Sequence, residues 1–141
     1  MKTIEQWFSE YGESHQNLTN KRIHWVCVPA ILFSIVGLLW AIDPLYAGLA
    51  IAISLLFYFS LSVPLSLAMI IVFCLSAAIA KSLGEYLLPT STSIFVTAWI
   101  FQFIGHRSEG KKPSFFKDIQ FLLIGPLWCL GFLFQKLNLR Y

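Results

Sequence analysis

Apolar residues run in long blocks along this chain, and polar residues gather between the blocks. Apolar stretches extend from about Ile23 to Ile42, from Leu45 to Val63 and from Leu65 to Leu83. Each approaches the ~20 residues an α-helix needs to cross the hydrocarbon core of a bilayer. A fourth, Ser93 to Gly105, reaches that length only when Thr90–Thr92 and His106–Glu109 extend it at the two interfaces. A fifth, Ile119 to Phe134, carries Gly125-Pro126 at its centre. Proline has no N–H to donate and its ring crowds the preceding turn, so this stretch is expected to be broken there. It then forms a kinked span, a re-entrant hairpin or a helix in the interface.

Ahead of these blocks, Ile4, Trp7, Phe8 and Tyr11 recur at helical spacing in an otherwise polar segment. That pattern predicts a short amphipathic helix on the bilayer surface or against the bundle. Asp43-Pro44 and Val63-Pro64 leave little chain for loops, so the first three spans are expected to be antiparallel neighbours. The expected fold is all-α: one membrane-embedded domain over residues 1–141. It has about four transmembrane helices, an N-terminal amphipathic helix and a Gly-Pro-broken fifth segment.

Composition agrees. Hydrophobic residues make up 57% of the 141 residues and charged residues 12%, against ~45–50% and ~25% in soluble domains. The mean hydropathy is +0.72. A chain this small leaves much of its surface exposed, so that surface is expected to face lipid. A soluble enzyme, a disordered chain and a disulfide scaffold are excluded on this reading. A net charge of +3 gives no footprint for nucleic acid. The N-terminal segment lacks the apolar core of a signal peptide. Cys27, Cys74 and Cys129 lie far apart in apolar stretches and read as small packing residues.

Seven of the ten basic residues lie before the first span or in the stretch after the fourth: Lys2, Lys21, Arg22, Arg107, Lys111, Lys112 and Lys117. An even number of spans puts both groups on one side, which the positive-inside rule makes cytoplasmic. The host membrane is expected to be a bacterial inner membrane or the endoplasmic reticulum, and the charge rule does not choose between them.

That same side collects all three histidines of the chain: His15, His24 and His106. On one continuous helix, His15 and His24 would face opposite ways. Asn17, Thr19 and Asn20 between them favour a break, and Asn20 is expected to cap a helix starting at Lys21. Trp99, Gln102, His106 and Glu109 share one face of the fourth helix. His106 and Glu109 form a His-x-x-Glu whose two side chains reach one ion, and Gln102 is one turn deeper, placed to orient a ligand or bind substrate. Three imidazoles and a carboxylate suit Fe(II), Zn(II) or Mn(II). The bland alternative is that each histidine caps a helix or lies at the interface. Arg107 and the lysines after it read as the topology signal, or as a seat for an anionic head group.

Two motifs stand out together. Tyr11-x-x-x-His15-x-Asn17-x-x-Asn20-x-x-x-His24-x-x-x-x-Pro29 is followed by Trp99-x-x-Gln102-Phe103-x-Gly105-His106-x-x-Glu109-x-x-x-Pro113. This pattern resembles a family of small membrane proteins whose fungal members are 2-hydroxy fatty acid dioxygenases of the endoplasmic reticulum. The resemblance covers nearly the whole chain. It implies an Fe(II) enzyme without haem that acts in fatty acid α-oxidation: a long-chain 2-hydroxy fatty acid and O2 give the acid one carbon shorter, with loss of CO2. It implies His15, His24 and His106 as iron ligands and catalytic residues, with Glu109 at a matching acidic position. Asn17, Asn20, Gln102 and Arg107 are the candidate substrate-binding residues. The expected partners are the lipid substrate, O2 and membrane lipids. Two other readings stand beside it: a Zn-dependent membrane lipid hydrolase with Glu109 as general base, and a non-enzymatic membrane scaffold or carrier.

Overall fold

The computed structural model describes residues 2–110 and 115–141, with side chains described from 121 onward in the second segment. Every regular element among the described residues is helical. The order is α1 (Ile4–Glu13), α2 (Leu18–Ile42), α3 (Pro44–Phe59), α4 (Val63–Leu83), a 3₁₀ turn (Gly84–Tyr86), α5 (Leu87–Ser108) and α6 (Phe115–Lys136).

Capping residues set the boundaries. Thr3 and Gln6 form a reciprocal capping box at α1. Asp43 accepts from the Leu45 N–H at 2.8 Å and Pro44 opens α3, so α2 reverses into α3 across a single residue. Ser62 caps α4 in the same way. Gly84 turns the chain between α4 and α5 at φ +52°, a conformation that a Cβ resists.

α2 and α5 form the close pair at the centre, running antiparallel. At one end, a Cβ on Gly37 would lie 2.1 Å from Ser91 Oγ. At the other, a Cβ on Gly105 would lie 2.5 Å from Asn20 Oδ1. Small residues at both ends let the two backbones approach, as in helix pairs in lipid. The core between α2, α3, α4 and α6 is built on Val36, Ala47, Tyr58, Leu65, Met69, Phe73 and Leu127.

The outward faces are apolar: Val26, Ile53, Leu56, Ile71 and Leu75 are all exposed. Ser54, Ser76, Thr92 and Ser93 return their hydroxyls to the carbonyl four residues earlier, which satisfies them without water. By length and composition, α2 and the helical run Val63–Ser108 can cross a membrane, while α3 and the apolar part of α6 (Phe121–Lys136) are shorter. Two stretches thus meet the criterion where the pattern predicted about four.

α6 departs from expectation. It continues without a break through Gly125-Pro126. Proline removes one hydrogen bond and crowds one carbonyl, but the flanking turns are pinned by burial of Phe121, Ile124 and Leu127. Gly125 is needed for contact: a Cβ there would lie 3.1 Å from both the Tyr11 hydroxyl and Val28 Cγ1. Gly-Pro therefore marks a packing point and not a breaker. The contacts that hold α6 gather at the His24 end of the bundle. Trp128 meets Tyr11, Phe132 meets Trp25, and Tyr58 donates to the Leu123 carbonyl at 2.9 Å.

Candidate metal centre

Asn17, and not Asn20, caps α2. Its side-chain oxygen accepts from Thr19 N–H at 2.8 Å and Asn20 N–H at 3.4 Å. The helix therefore starts at Leu18, one turn earlier than the Asn20 cap predicted, because Asn17 is the residue in extended conformation. The short link between α1 and α2 turns His15 inward. α2 contributes His24 from its second turn, and the last turn of α5 contributes His106.

The three imidazoles converge. Ring centroids lie 4.2 Å apart for His15–His24, 4.8 Å for His24–His106 and 5.6 Å for His15–His106. One ligand nitrogen from each falls within 4.8 Å of the others. Two nitrogens on one ion with bonds of ~2.0–2.1 Å are about 3–4 Å apart, so small ring rotations bring all three onto a common ion. All three histidines are buried.

The tautomers are set from behind. His15 Nδ1 lies 2.6 Å from the Tyr11 carbonyl and His24 Nδ1 lies 2.9 Å from the Asn20 carbonyl. A carbonyl only accepts, so each Nδ1 carries the proton and each Nε2 keeps its lone pair. Metal-ligating histidines are commonly held this way. His15 Nε2 is buried and has no hydrogen-bond partner among the described residues, a costly arrangement unless an ion or ligand takes the lone pair. Burial pushes the His15 pKa down to about 4, against the Tyr11 hydrogen bond that raises it. The ring is thus neutral and ready to ligate at pH 7. The donor set and this orphaned nitrogen fit a divalent transition metal.

Aromatic rings wall the group. Tyr11 stacks on His15 at 4.2 Å and 7°, and Trp128 lies 5.8 Å from the same imidazole. α6 carries Trp128 to the site. Only the helical spacing of Tyr11 to His15 signalled either contact.

The remaining predicted residues are placed differently. Glu109 lies outside the imidazole group. Its carboxylate accepts from the Gln16 N–H at 2.7 Å, the Asn17 N–H at 2.9 Å and Asn20 Nδ2 at 3.0 Å. Partial burial works against its charge, but these hydrogen bonds outweigh it and hold the carboxyl below the usual carboxylate range. Asn20 is fully buried, its amide donating to the Ser14 carbonyl and to Glu109. The Asn17 side-chain oxygen caps α2, and its amide donates to the Ser108 carbonyl at 3.5 Å. Gln102 is buried one turn before His106, and Arg107 is exposed.

Comparison with known proteins follows the same line. A family described as 2-hydroxy-palmitic acid dioxygenase Mpo1-like matches residues 1–137. The chain is 31% identical over 134 residues to the 2-hydroxy-palmitic acid dioxygenase MPO1 of Saccharomyces cerevisiae, covering 89% of this chain and 76% of the yeast protein. No solved structure matches. With its matched span taking in both histidine segments, the chain belongs to the 2-hydroxy-palmitic acid dioxygenase Mpo1-like family.

Proposed function

We propose that this protein is a membrane-embedded, non-haem Fe(II) dioxygenase that shortens a long-chain 2-hydroxy fatty acid by one carbon. The observation that carries the reading is the buried His15 Nε2, unpartnered among the described residues, in a cluster with two further imidazoles. Family membership supplies the substrate class and the use of O2. In the balanced reaction, one 2-hydroxy acid and one O2 give the shorter acid, CO2 and water.

Bound Fe(II) would supply one-electron chemistry toward O2 and a Lewis-acid seat for the hydroxyl and carboxylate of the substrate. The chain's own residues do the rest. His15, His24 and His106 hold the ion, and the Tyr11 and Asn20 carbonyls lock the first two rings in the ligating tautomer. Tyr11 and Trp128 keep water from one side of the site. Gln102, buried one turn deeper, orients the substrate head, while the alkyl chain lies along the apolar helices. Positioning is the main contribution of such a site. The basic residues around α1, the start of α2 and the end of α5 support a site at the cytoplasmic face.

The zinc hydrolase reading needs Glu109 as a free general base, and its carboxylate is already held by three donors. Metal analysis of the purified protein and O2 uptake with 2-hydroxypalmitate test the proposal together. Iron, O2 consumption and a 15-carbon acid are expected. Zinc with O2-independent turnover, or no metal at all, overturns it.

A further inference from the structure

We infer that Glu109 is a positioning residue: it straps the α1–α2 turn to the end of α5 and so brings His15 up to His24 and His106, without itself binding the metal. This rests on the metal-site reading above.

The three histidines come from parts of the chain that nothing in the local sequence joins. His24 and His106 are brought together by the α2–α5 pair. His15 precedes α2 and depends on the path of residues 14–20. That path is fixed by Glu109, which accepts from two consecutive backbone N–H groups, Gln16 and Asn17, and from the Asn20 side chain. Asn20 passes the restraint on. Its amide also donates to the Ser14 carbonyl, next to His15, and its own carbonyl accepts a hydrogen bond from the His24 Nδ1–H. Glu109 thus reaches both histidines through groups it touches or that lie one bond away.

The electrostatics are specific. Glu109 is the C-cap of α5, where the helix dipole disfavours a negative charge. The same carboxylate lies at the N-terminus of α2, where backbone N–H groups and the dipole favour one. An acid at this position is costly for α5 alone and is rewarded only when α2 docks against it. The carboxylate also lies outside the imidazole group, its oxygens already engaged by donors.

Two readouts on the full-length protein test this, neither relying on turnover. The first is amide hydrogen exchange and diethyl pyrocarbonate labelling of metal-free protein. Glu109→Ala should speed exchange at the Gln16 and Asn17 amides by ~10-fold or more and raise labelling of His15, because the exchange-protecting hydrogen bonds are gone. The second is titration with Co(II) as a spectroscopic probe. Affinity should fall ~10–100-fold, the range for groups that orient ligands, while the visible spectrum of the saturated variant keeps its wild-type shape. Should Glu109→Ala fold poorly, Glu109→Gln retains one acceptor oxygen and should show smaller changes in the same direction. Altered Co(II) bands with unchanged exchange at residues 16 and 17 make Glu109 a ligand and overturn the inference, as does no change in either readout. Wild-type protein that takes up no metal instead overturns the metal-site reading, and the exchange and labelling results still decide whether Glu109 holds the turn.

Discussion

Gly105 and Asn20 meet where the last turn of α5 crosses the first turn of α2, and a Cβ on residue 105 would lie 2.5 Å from Asn20 Oδ1. The missing side chain is what lets Asn20, fully buried, reach Glu109 while its carbonyl holds His24. Packing and site geometry are one feature here. Gly105→Ala should push Asn20 off α5 and weaken metal binding by ~10-fold or more, with a loss of about 1–3 kcal/mol in stability from overpacking. Metal titration alongside thermal unfolding in detergent checks both. Metal affinity equal to wild type would show that α5 has room to give.

The acid side of the stability profile is expected to carry the signature of His15. Burial lowers its pKa from 6.5 to about 4. Between these values the unfolded chain binds a proton that the folded chain refuses. The contribution of this group to the stability of metal-free protein should therefore be level above about pH 7 and be lost as the pH drops from 6.5 to about 4. The slope from this one group is at most about 1.4 kcal/mol per pH unit. Unfolding midpoints across that window test it, and His15→Gln should make the slope shallower by up to that amount.

At the Gly125-Pro126 step the two residues should respond in opposite ways. Gly125→Val places atoms against Tyr11 and Val28, already 3.1 Å from an ideal Cβ, and should cost about 1–3 kcal/mol. It should also disturb the Tyr11–His15 stack and lower metal affinity. Pro126→Ala restores an N–H to the helix and opens a small void, so its stability should stay near wild type. A large loss for Pro126→Ala, with none for Gly125→Val, would mean that α6 needs the proline's bend and not the glycine's contact.

Topology is testable with single cysteines in a background lacking Cys27, Cys74 and Cys129. Cysteines at Ser14 and Gly110 should both label from the cytoplasmic side, and a cysteine at Asp43 from the opposite side. The expectation comes from the clustering of basic residues and from the histidines meeting at one end of the bundle. Labelling of positions 14 and 110 from opposite faces is incompatible with it.

Much of this was legible in the one-dimensional pattern. Long apolar blocks give helices whose outward faces are apolar, because period and composition are local properties. Asp43-Pro44 and Val63-Pro64 are turn chemistry that reads the same in sequence and in space. The three histidines were legible as a set because helix parity alone sends them to one end. Other features were not local. Gly125-Pro126 reads as a breaker from its own chemistry, yet burial of its neighbours and the approach of Tyr11 and Val28 keep α6 whole. The cap of α2 fell on Asn17 where the spacing favoured Asn20, since both residue types cap well and only the backbone conformation chooses between them.

The amino-acid sequence by itself determined the helical class, the apolar exterior and the three imidazoles as the chemical material of the site. These follow from residue type and spacing, which the folded environment does not alter. Tertiary structure alone decided what Glu109 and Asn20 touch. Spacing placed Glu109 beside His106, as a ligand or as a group that orients it, and Asn20 at a helix cap. Across 89 residues of chain, α2 and α5 packing joins the two to each other. A hydrogen bond between distant segments depends on how closely two backbones approach, and that distance was set by the absent side chain of Gly105.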